Sequence, residues 1–243
     1  MRRNVVGGNA LVTESVVMDS RVIVKAQELQ VKKGDSMKQI LCFGDSNTWG
    51  LIPKTGKRFP WGIRWTSILS EKLGQDKYHV VEEGLCGRTT VFDDPLRDGR
   101  CGVKVLPTLL ESHDSIDLSI IMLGTNDCKT VYGASSDVIG KGVARLVKQV
   151  RRFAPTSKVL VISPIHLGQQ VWEDEFDPEF SCHSVDVSKG LAEAYCKVSR
   201  EENTAFLDAS QFAEPSETDH EHLSAEGHAR LAEAILKKVK EII

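Results

Sequence analysis

The sequence lacks an excess of charge of either sign. It carries 31 lysine and arginine residues against 34 aspartate and glutamate residues, for a formal net charge of −3. Nucleic-acid-binding domains are typically basic, with lysine and arginine gathered in patches that displace counterions from the phosphates. Here the basic residues are interspersed with acidic ones along the chain. The charge pattern therefore argues against nucleic acid as a partner.

Long apolar runs and paired cysteine motifs are also missing. The longest apolar runs are the size of β-strands, well short of the roughly 20 residues that cross a bilayer, so we expect no membrane span. The six cysteines form no Cys-x-x-Cys pair and are too scattered for a disulfide framework. The residues after Met1-Arg2-Arg3 are too polar for a secretory signal. Reduced cysteines and no such signal favour a cytoplasmic protein.

A regular alternation of two residue patterns fills the chain from Met37 onward. Five apolar, β-rich runs alternate with stretches whose apolar residues lie three and four apart, which is the spacing of a helix face. Near-continuous apolar strands that alternate with helices indicate a parallel sheet covered on both faces, the doubly wound α/β class. The predicted strands are 39–43, 79–81, 118–123, 159–163 and 205–207, and the predicted helices are 65–73, 103–110, 138–153, 187–198 and 225–243.

The first 36 residues do not share this alternation. They hold short valine-rich pieces and a charged stretch, and Met37 follows directly. We therefore predict that residues 1–36 are an N-terminal extension, either disordered or a non-native start. The single folded domain is then predicted to be 37–243.

Polar segments follow the predicted strands, where ligands of open parallel sheets bind. A serine after a glycine turn can act as a nucleophile, a histidine as its base, and an aspartate can orient the histidine. Glycine backbone N–H groups and an asparagine amide can donate to a developing oxyanion. The segments that carry these groups are 44–50, 82–90, 124–127 and 218–224. Together they predict an acyl-transfer site at one rim of the sheet.

These segments resemble the four sequence blocks of the SGNH (GDSL-type) hydrolases. The blocks are Gly-Asp-Ser at 44–46, a glycine in the second block, Gly-x-Asn-Asp at 124–127 and Asp-x-x-His at 219–222. Further residues around them, at 42–50, 64–66, 83–90 and 120–127, are similar to the bacterial arylesterase/acyltransferase branch. A second Gly-Asp-Ser at 34–36 follows no strand, and we interpret it as coincidence. The resemblance implies a flavodoxin-like three-layer α/β/α fold with a five-stranded parallel sheet.

The resemblance also implies roles for individual residues. Ser46 is the implied nucleophile, His222 the base and Asp219 its partner, and the oxyanion hole is formed by the N–H groups of Ser46 and Gly87 with the Asn126 amide. We expect substrate contacts from residues just past the nucleophile and in the second block: Trp49, Leu51, Ile52 and Arg88. A base of this kind is expected to give a pH limb near neutrality.

The implied activity is hydrolysis of short-chain or aryl carboxylic esters through an acyl-serine, with acyl transfer to alcohols as an extension. No cofactor and no metal are expected, and the partner is a small-molecule ester. The resemblance further suggests that the chain forms homo-oligomers. An irregular stretch, 164–186, holds three aromatic side chains and is interpreted as a lid or pocket wall: Trp172, Phe176 and Phe180.

Several alternatives remain open at this stage. Asn47 stands where the family pattern has leucine, which we interpret as a change at the pocket entrance. His220 lies inside the last block and competes with His222 as base, although the Asp219 to His222 spacing lets those side chains meet across a turn. Asp208 also follows a strand and is a second candidate to orient the histidine.

Two other functions are also compatible with the sequence. The cluster from Asp219 to His228 is rich in metal-ligating side chains, which suggests a metal-dependent hydrolase, although no standard zinc spacing is present. The second is a non-catalytic ligand-binding module on the same sheet.

Overall fold

The computed structural model describes residues 37–113 and 115–243. At its centre lies a five-stranded sheet in the order β2-β1-β3-β4-β5, with every pairing parallel. The strands are β1 (Lys38–Gly44), β2 (Tyr78–Gly84), β3 (Ile116–Met122), β4 (Lys158–Ser163) and β5 (Ala205–Asp208). This confirms the predicted fold class. The predicted N-terminal extension, with the second Gly-Asp-Ser at 34–36, lies outside the described residues.

Within the described residues, six α-helices connect or follow the strands. They are α1 (Ser46–Trp49), α2 (Trp65–Leu73), α3 (Gly102–Ser112), α4 (Ser136–Phe153), α5 (Cys182–Glu201) and α6 (Ala225–Ile242). Five of them match the predicted helices within a few residues. Helix α5 begins five residues earlier than predicted because Ser181 and Ser184 form a capping box at its start. Helix α1 was not predicted, since four residues are too few to show a helical period.

The sheet is covered on both faces, and the side chains of β1 alternate between the two. Leu41 and Phe43 pack into the apolar cluster that includes α3, α4 and α5, whereas Ile40 and Cys42 pack into the cluster that includes α2 and α6. Alternation of this kind follows from the two-residue period of a strand. Among the described helices, none is both long and apolar enough to cross a membrane.

The strand order places the loops after β2, β1 and β3 side by side at one edge of the sheet. The chain leaves β1 toward β2 on one side and returns to β3 on the other, so the direction of winding reverses at β1. Such a reversal opens a crevice at the carboxyl ends of the strands, where ligands of doubly wound sheets bind. The nucleophile predicted from the sequence lies directly after β1.

A buried ion pair fixes the loop between α1 and α2 to this edge. Glu82, on β2, accepts hydrogen bonds from Arg64 Nε at 3.0 Å and Arg64 Nη2 at 2.8 Å, from Arg58 at 3.3 Å, and from the Thr66 hydroxyl. Arg64 also donates to the Phe59 carbonyl at 2.7 Å and is only 6% exposed. Removing Arg64 would leave this largely buried carboxylate with only Arg58 and Thr66 as partners, and weakening a buried pair in this way is destabilising.

We therefore expect Arg64→Met to lower the free energy of unfolding by about 3 kcal/mol. Arg230, which pairs with Glu226 on the exposed face of α6, supplies the matched control, and Arg230→Met is expected to cost at most about 0.5 kcal/mol. Urea unfolding of the two variants and the unmodified protein measures both changes. Equal losses in the two variants would contradict the structural role of Arg64.

Candidate active site

Ser46 is held at the turn between β1 and α1. Asp45 caps α1, because its Oδ1 accepts the Asn47 N–H at 3.0 Å. Gly44, the last residue of β1, has no room for a side chain, since a Cβ there would lie 2.0 Å from Thr48 Oγ1. The glycine, the capping aspartate and the serine of the first block thus each have a local reason for their position. Ser46 itself is 3% exposed.

A continuous series of hydrogen bonds joins Ser46 to His222 and Asp219. His222 Nε2 lies 2.9 Å from Ser46 Oγ, and His222 Nδ1 lies 2.8 Å from Asp219 Oδ2. The other oxygen of Asp219 accepts the backbone N–H groups of Glu221 at 3.1 Å and His222 at 3.0 Å. Because the carboxylate accepts the Nδ1 proton, Nε2 is the nitrogen that faces the serine hydroxyl. This arrangement can draw a proton from Ser46.

Two carboxylates act on the imidazole of His222. Burial by itself lowers the pKa of His222, but the Glu221 carboxylate and the hydrogen bond to Asp219 outweigh it and raise the pKa to about 9. Glu221 Oε1 lies 3.7 Å from Nε2, the nitrogen that faces the serine. Burial raises the pKa of Glu221. For Asp219, burial opposes ionisation, yet the hydrogen bond to His222 holds its pKa below the ordinary value.

Asn47 connects the nucleophile turn to the histidine loop. Its Nδ2 donates to the Glu221 carbonyl at 3.4 Å, and its Oδ1 accepts the Leu223 N–H at 2.9 Å. The amide thus holds the backbone on both sides of His222. The sequence pattern suggests a change at the pocket entrance, but Asn47 is 3% exposed and lies in the interior. The departure from the leucine of the family pattern therefore concerns the support of His222.

The loops after β2 and β3 carry two of the three predicted oxyanion donors, Gly87 and Asn126. Gly87 has a φ of +82°, a conformation that side chains rarely adopt, and the Arg97 guanidinium lies 2.7 Å from where its Cβ would be. Asn126 begins a short 3₁₀ turn, and its Nδ2 donates to the Arg88 carbonyl at 3.2 Å. Asp127 accepts the Thr90 N–H at 3.0 Å and the Thr90 hydroxyl. These bonds tie the two loops to each other beside the β1 turn.

The predicted substrate-binding residues fall into two groups. Trp49, Leu51 and Ile52 are partly exposed just past the nucleophile, and the Trp49 carbonyl accepts from Arg58 Nε at 2.6 Å. Arg88 instead is 3% exposed and turned inward, where Nη1 donates to the carbonyls of Gly44 at 2.9 Å and Glu83. We expected Arg88 to contact substrate, but the structure places its guanidinium in the interior. There it supports the backbone at the ends of β1 and β2.

The competing residues of the last block lie elsewhere. The His220 ring packs edge-on against Phe176 with 4.5 Å between ring centroids, so it does not contact Ser46. Asp208 accepts from the hydroxyls of Ser163 at 3.0 Å and Ser210 at 2.8 Å, and His222 is paired with Asp219 instead. Of these four candidates, His222 and Asp219 form the hydrogen-bonded series with Ser46.

The histidines of the cluster from Asp219 to His228 have separate surroundings. His228 is fully buried, where Nδ1 accepts the Trp65 N–H at 3.3 Å and the ring packs edge-on against Phe59. Burial lowers its pKa to about 3. With His220 against Phe176 and His228 in the core, the cluster is dispersed. Across residues 37–113 and 115–243, no group of three metal-ligating side chains comes together.

The irregular stretch predicted as a lid or pocket wall runs from the end of β4 to α5. Phe180 is 3% exposed and belongs to the core, whereas Trp172 is 40% exposed. Lys129, just after the Asn126 turn, pairs with Glu179 and lies 3.7 Å from Asp177. The stretch is therefore fastened to the loop after β3.

One side chain at the site was not predicted from the sequence. Glu221 lies inside the last block, and no sequence pattern indicates that its carboxylate lies beside Nε2 of His222. Its backbone N–H donates to Asp219, and its Oε1 lies 3.7 Å from His222 Nε2. The one feature of the sequence that could have indicated this role is the position of an acidic residue directly before the histidine.

Comparison with known proteins identifies a family and similar structures. The model of the GDSL-like lipase/acylhydrolase family matches residues 42–230. The structure of Est24, a carbohydrate acetylesterase from Sinorhizobium meliloti, is 38% identical, with a TM-score of 0.78 over 85% of this chain and 100% of that chain. The aryl esterase of M. smegmatis is 34% identical, with a TM-score of 0.78 and coverage of 85% and 100%.

No curated protein matches the sequence. The family match spans most of the chain, and the structural matches extend over the whole length of both relatives. The chain belongs to the GDSL-like lipase/acylhydrolase family.

Proposed function

We propose that the protein is a serine esterase that hydrolyses carboxylic esters through an acyl-serine intermediate. The observation that carries the proposal is the pair of hydrogen bonds, 2.9 Å and 2.8 Å, that links Ser46 to His222 and His222 to Asp219. In a member of an acylhydrolase family, this arrangement supplies a nucleophile, a base and an orienting carboxylate.

In the proposed reaction, His222 Nε2 removes the Ser46 proton as Oγ attacks the ester carbonyl carbon. The oxyanion receives hydrogen bonds from the N–H groups of Ser46 and Gly87 and from Asn126, an interaction typically worth about 3 kcal/mol per donor. His222 then protonates the leaving alcohol, and the acyl group remains on Ser46. A water molecule, activated by the same nitrogen, releases the acid and restores the serine.

The substrate range is proposed from the relatives and the pocket residues. Two similar proteins are described as a carbohydrate acetylesterase and an aryl esterase, which favours short acyl groups and leaves the alcohol part variable. Trp49, Leu51 and Ile52 offer an apolar surface just past the nucleophile. Acyl transfer to alcohols is part of the proposal, because any nucleophile that reaches the acyl-enzyme can replace water. A cytoplasmic location and homo-oligomers also remain proposals.

Ser46→Ala is expected to lower turnover of p-nitrophenyl acetate by about 10⁴-fold or more, because the nucleophile is removed. Ser112→Ala, at an exposed serine of α3, is the control and should match the unmodified protein. Release of p-nitrophenol, followed for a series of acyl lengths from acetate upward, measures both the loss and the size of the acyl pocket. Turnover that survives in Ser46→Ala and disappears with a chelator would instead support a metal-dependent hydrolase.

The pH dependence of kcat/KM should be set by His222. Only the neutral imidazole can act as base, so activity should rise with pH and level off above the His222 pKa of about 9. This limb lies at higher pH than the neutral range expected from the sequence, because Glu221 and Asp219 favour the imidazolium. Glu221→Gln removes a negative charge that favours the imidazolium, so the limb should move to lower pH, toward the ordinary histidine value. In the control Glu217→Gln, an exposed residue of the same loop, the limb should stay in place. An identical limb in all three proteins would count against Glu221 as the cause.

A further inference from the structure

A carboxylate lies beside the reacting nitrogen of the site. Glu221 is 7% exposed, and its Oε1 lies 3.7 Å from His222 Nε2, with which it forms an ion pair when the imidazole is protonated. The backbone of Glu221 is fixed on both sides, since its N–H donates to Asp219 and its carbonyl accepts from Asn47. The carboxylate is thus held next to the nitrogen that exchanges protons with substrate.

A carboxylate in this position can accept a hydrogen bond from a molecule that reaches His222 Nε2. The molecules that must visit this position are the leaving alcohol and the nucleophile that replaces it, since both exchange a proton with Nε2. An oxygen that contacts Nε2 at about 2.8 Å also lies within reach of Oε1. The number of O–H groups on that oxygen therefore decides whether Glu221 also receives a hydrogen bond.

We propose that Glu221 is a specificity-determining residue that favours water over alcohols as the nucleophile releasing the acyl group from Ser46. The inference rests on the proposed esterase function. Water carries two O–H groups, so it can donate one to His222 Nε2 and the other to Glu221 Oε1. An alcohol gives its one O–H to Nε2 and turns a carbon toward the carboxylate. The carbon excludes solvent from Glu221, and the carboxylate then lacks the hydrogen bond that water provides, which is costly.

In the favoured step, hydrolysis of the acyl-serine by water, no proton is transferred to Glu221. The water oxygen forms a bond to the acyl carbon while one of its protons passes to Nε2. The bond between the acyl carbon and Ser46 Oγ then breaks, and the Nε2 proton returns to Oγ. The second proton stays on the attacking oxygen, hydrogen-bonded to Glu221, and leaves with the carboxylic acid. Glu221 acts only as an acceptor.

This role differs from the effect of Glu221 on the charge of His222. A carboxylate that merely raises the basicity of the imidazole changes the rates of hydrolysis and of alcoholysis together. The ratio of the two products from one acyl-enzyme then stays constant. A carboxylate that contacts the nucleophile changes that ratio, whatever the rate of acylation.

The test measures this ratio in the full chain. Unmodified protein, Glu221→Leu, Glu221→Gln and the control Glu217→Leu are each given p-nitrophenyl acetate in water with a fixed concentration of methanol, and methyl acetate and acetate are quantified by NMR. The ratio of methyl acetate to acetate should rise about tenfold in Glu221→Leu. Glu221→Gln should show a smaller rise, because its amide oxygen still accepts a hydrogen bond, and Glu217→Leu should show none. A ratio within about twofold of the unmodified protein in both Glu221 variants overturns the proposal.

The unmodified protein gives a second readout that needs no variant. Mole for mole, water is expected to be the preferred nucleophile, and a preference for methanol of about tenfold overturns the proposal. Failure of the underlying esterase function has a different signature, since the unmodified protein would then release no p-nitrophenol from any ester of the series.

Discussion

The hydrogen bond between His222 Nε2 and Ser46 Oγ is the interaction on which the site depends. It joins two residues that are 176 positions apart, so both ends need independent support. Ser46 is fixed by the Asp45 cap and by the lack of space at Gly44, and His222 is fixed by Asp219 and by the Asn47 amide that spans its backbone. Catalytic groups need placement to about 0.5 Å, and the buried polar contacts of this chain provide it.

The electrostatic character of the site follows from its burial. Asp219 and Glu221 both face one imidazole, and little solvent screens them, so together they favour the imidazolium. A raised pKa makes His222 a stronger base and stabilises the charge that forms on it as Ser46 is deprotonated. It also leaves less of the neutral base at pH 7. The position of Glu221 thus links the pH dependence of the reaction to the choice of nucleophile.

Much of this arrangement could be predicted from the sequence, because it depends on local patterns. The five strands, five of the six α-helices and the order of the four blocks follow from apolar periodicity and from motif spacing. The direction in which a side chain points does not follow from these patterns. Arg88 was expected at the substrate, but burial between β1 and β2 turned it to backbone carbonyls. Asn47 was expected at the pocket entrance. Its contacts with Glu221 and Leu223 form only when the turn after β1 packs against the loop before α6, and these two segments are far apart in the sequence.

The central claim is that Ser46 is the nucleophile, and covalent labelling tests it most directly. After incubation with diethyl p-nitrophenyl phosphate, which transfers its phosphoryl group to activated serines, peptide mass mapping should place the added mass on the peptide that contains Ser46. Loss of esterase activity should follow the extent of this modification. Activity lost while Ser46 stays unmodified and another residue carries the adduct would contradict the account.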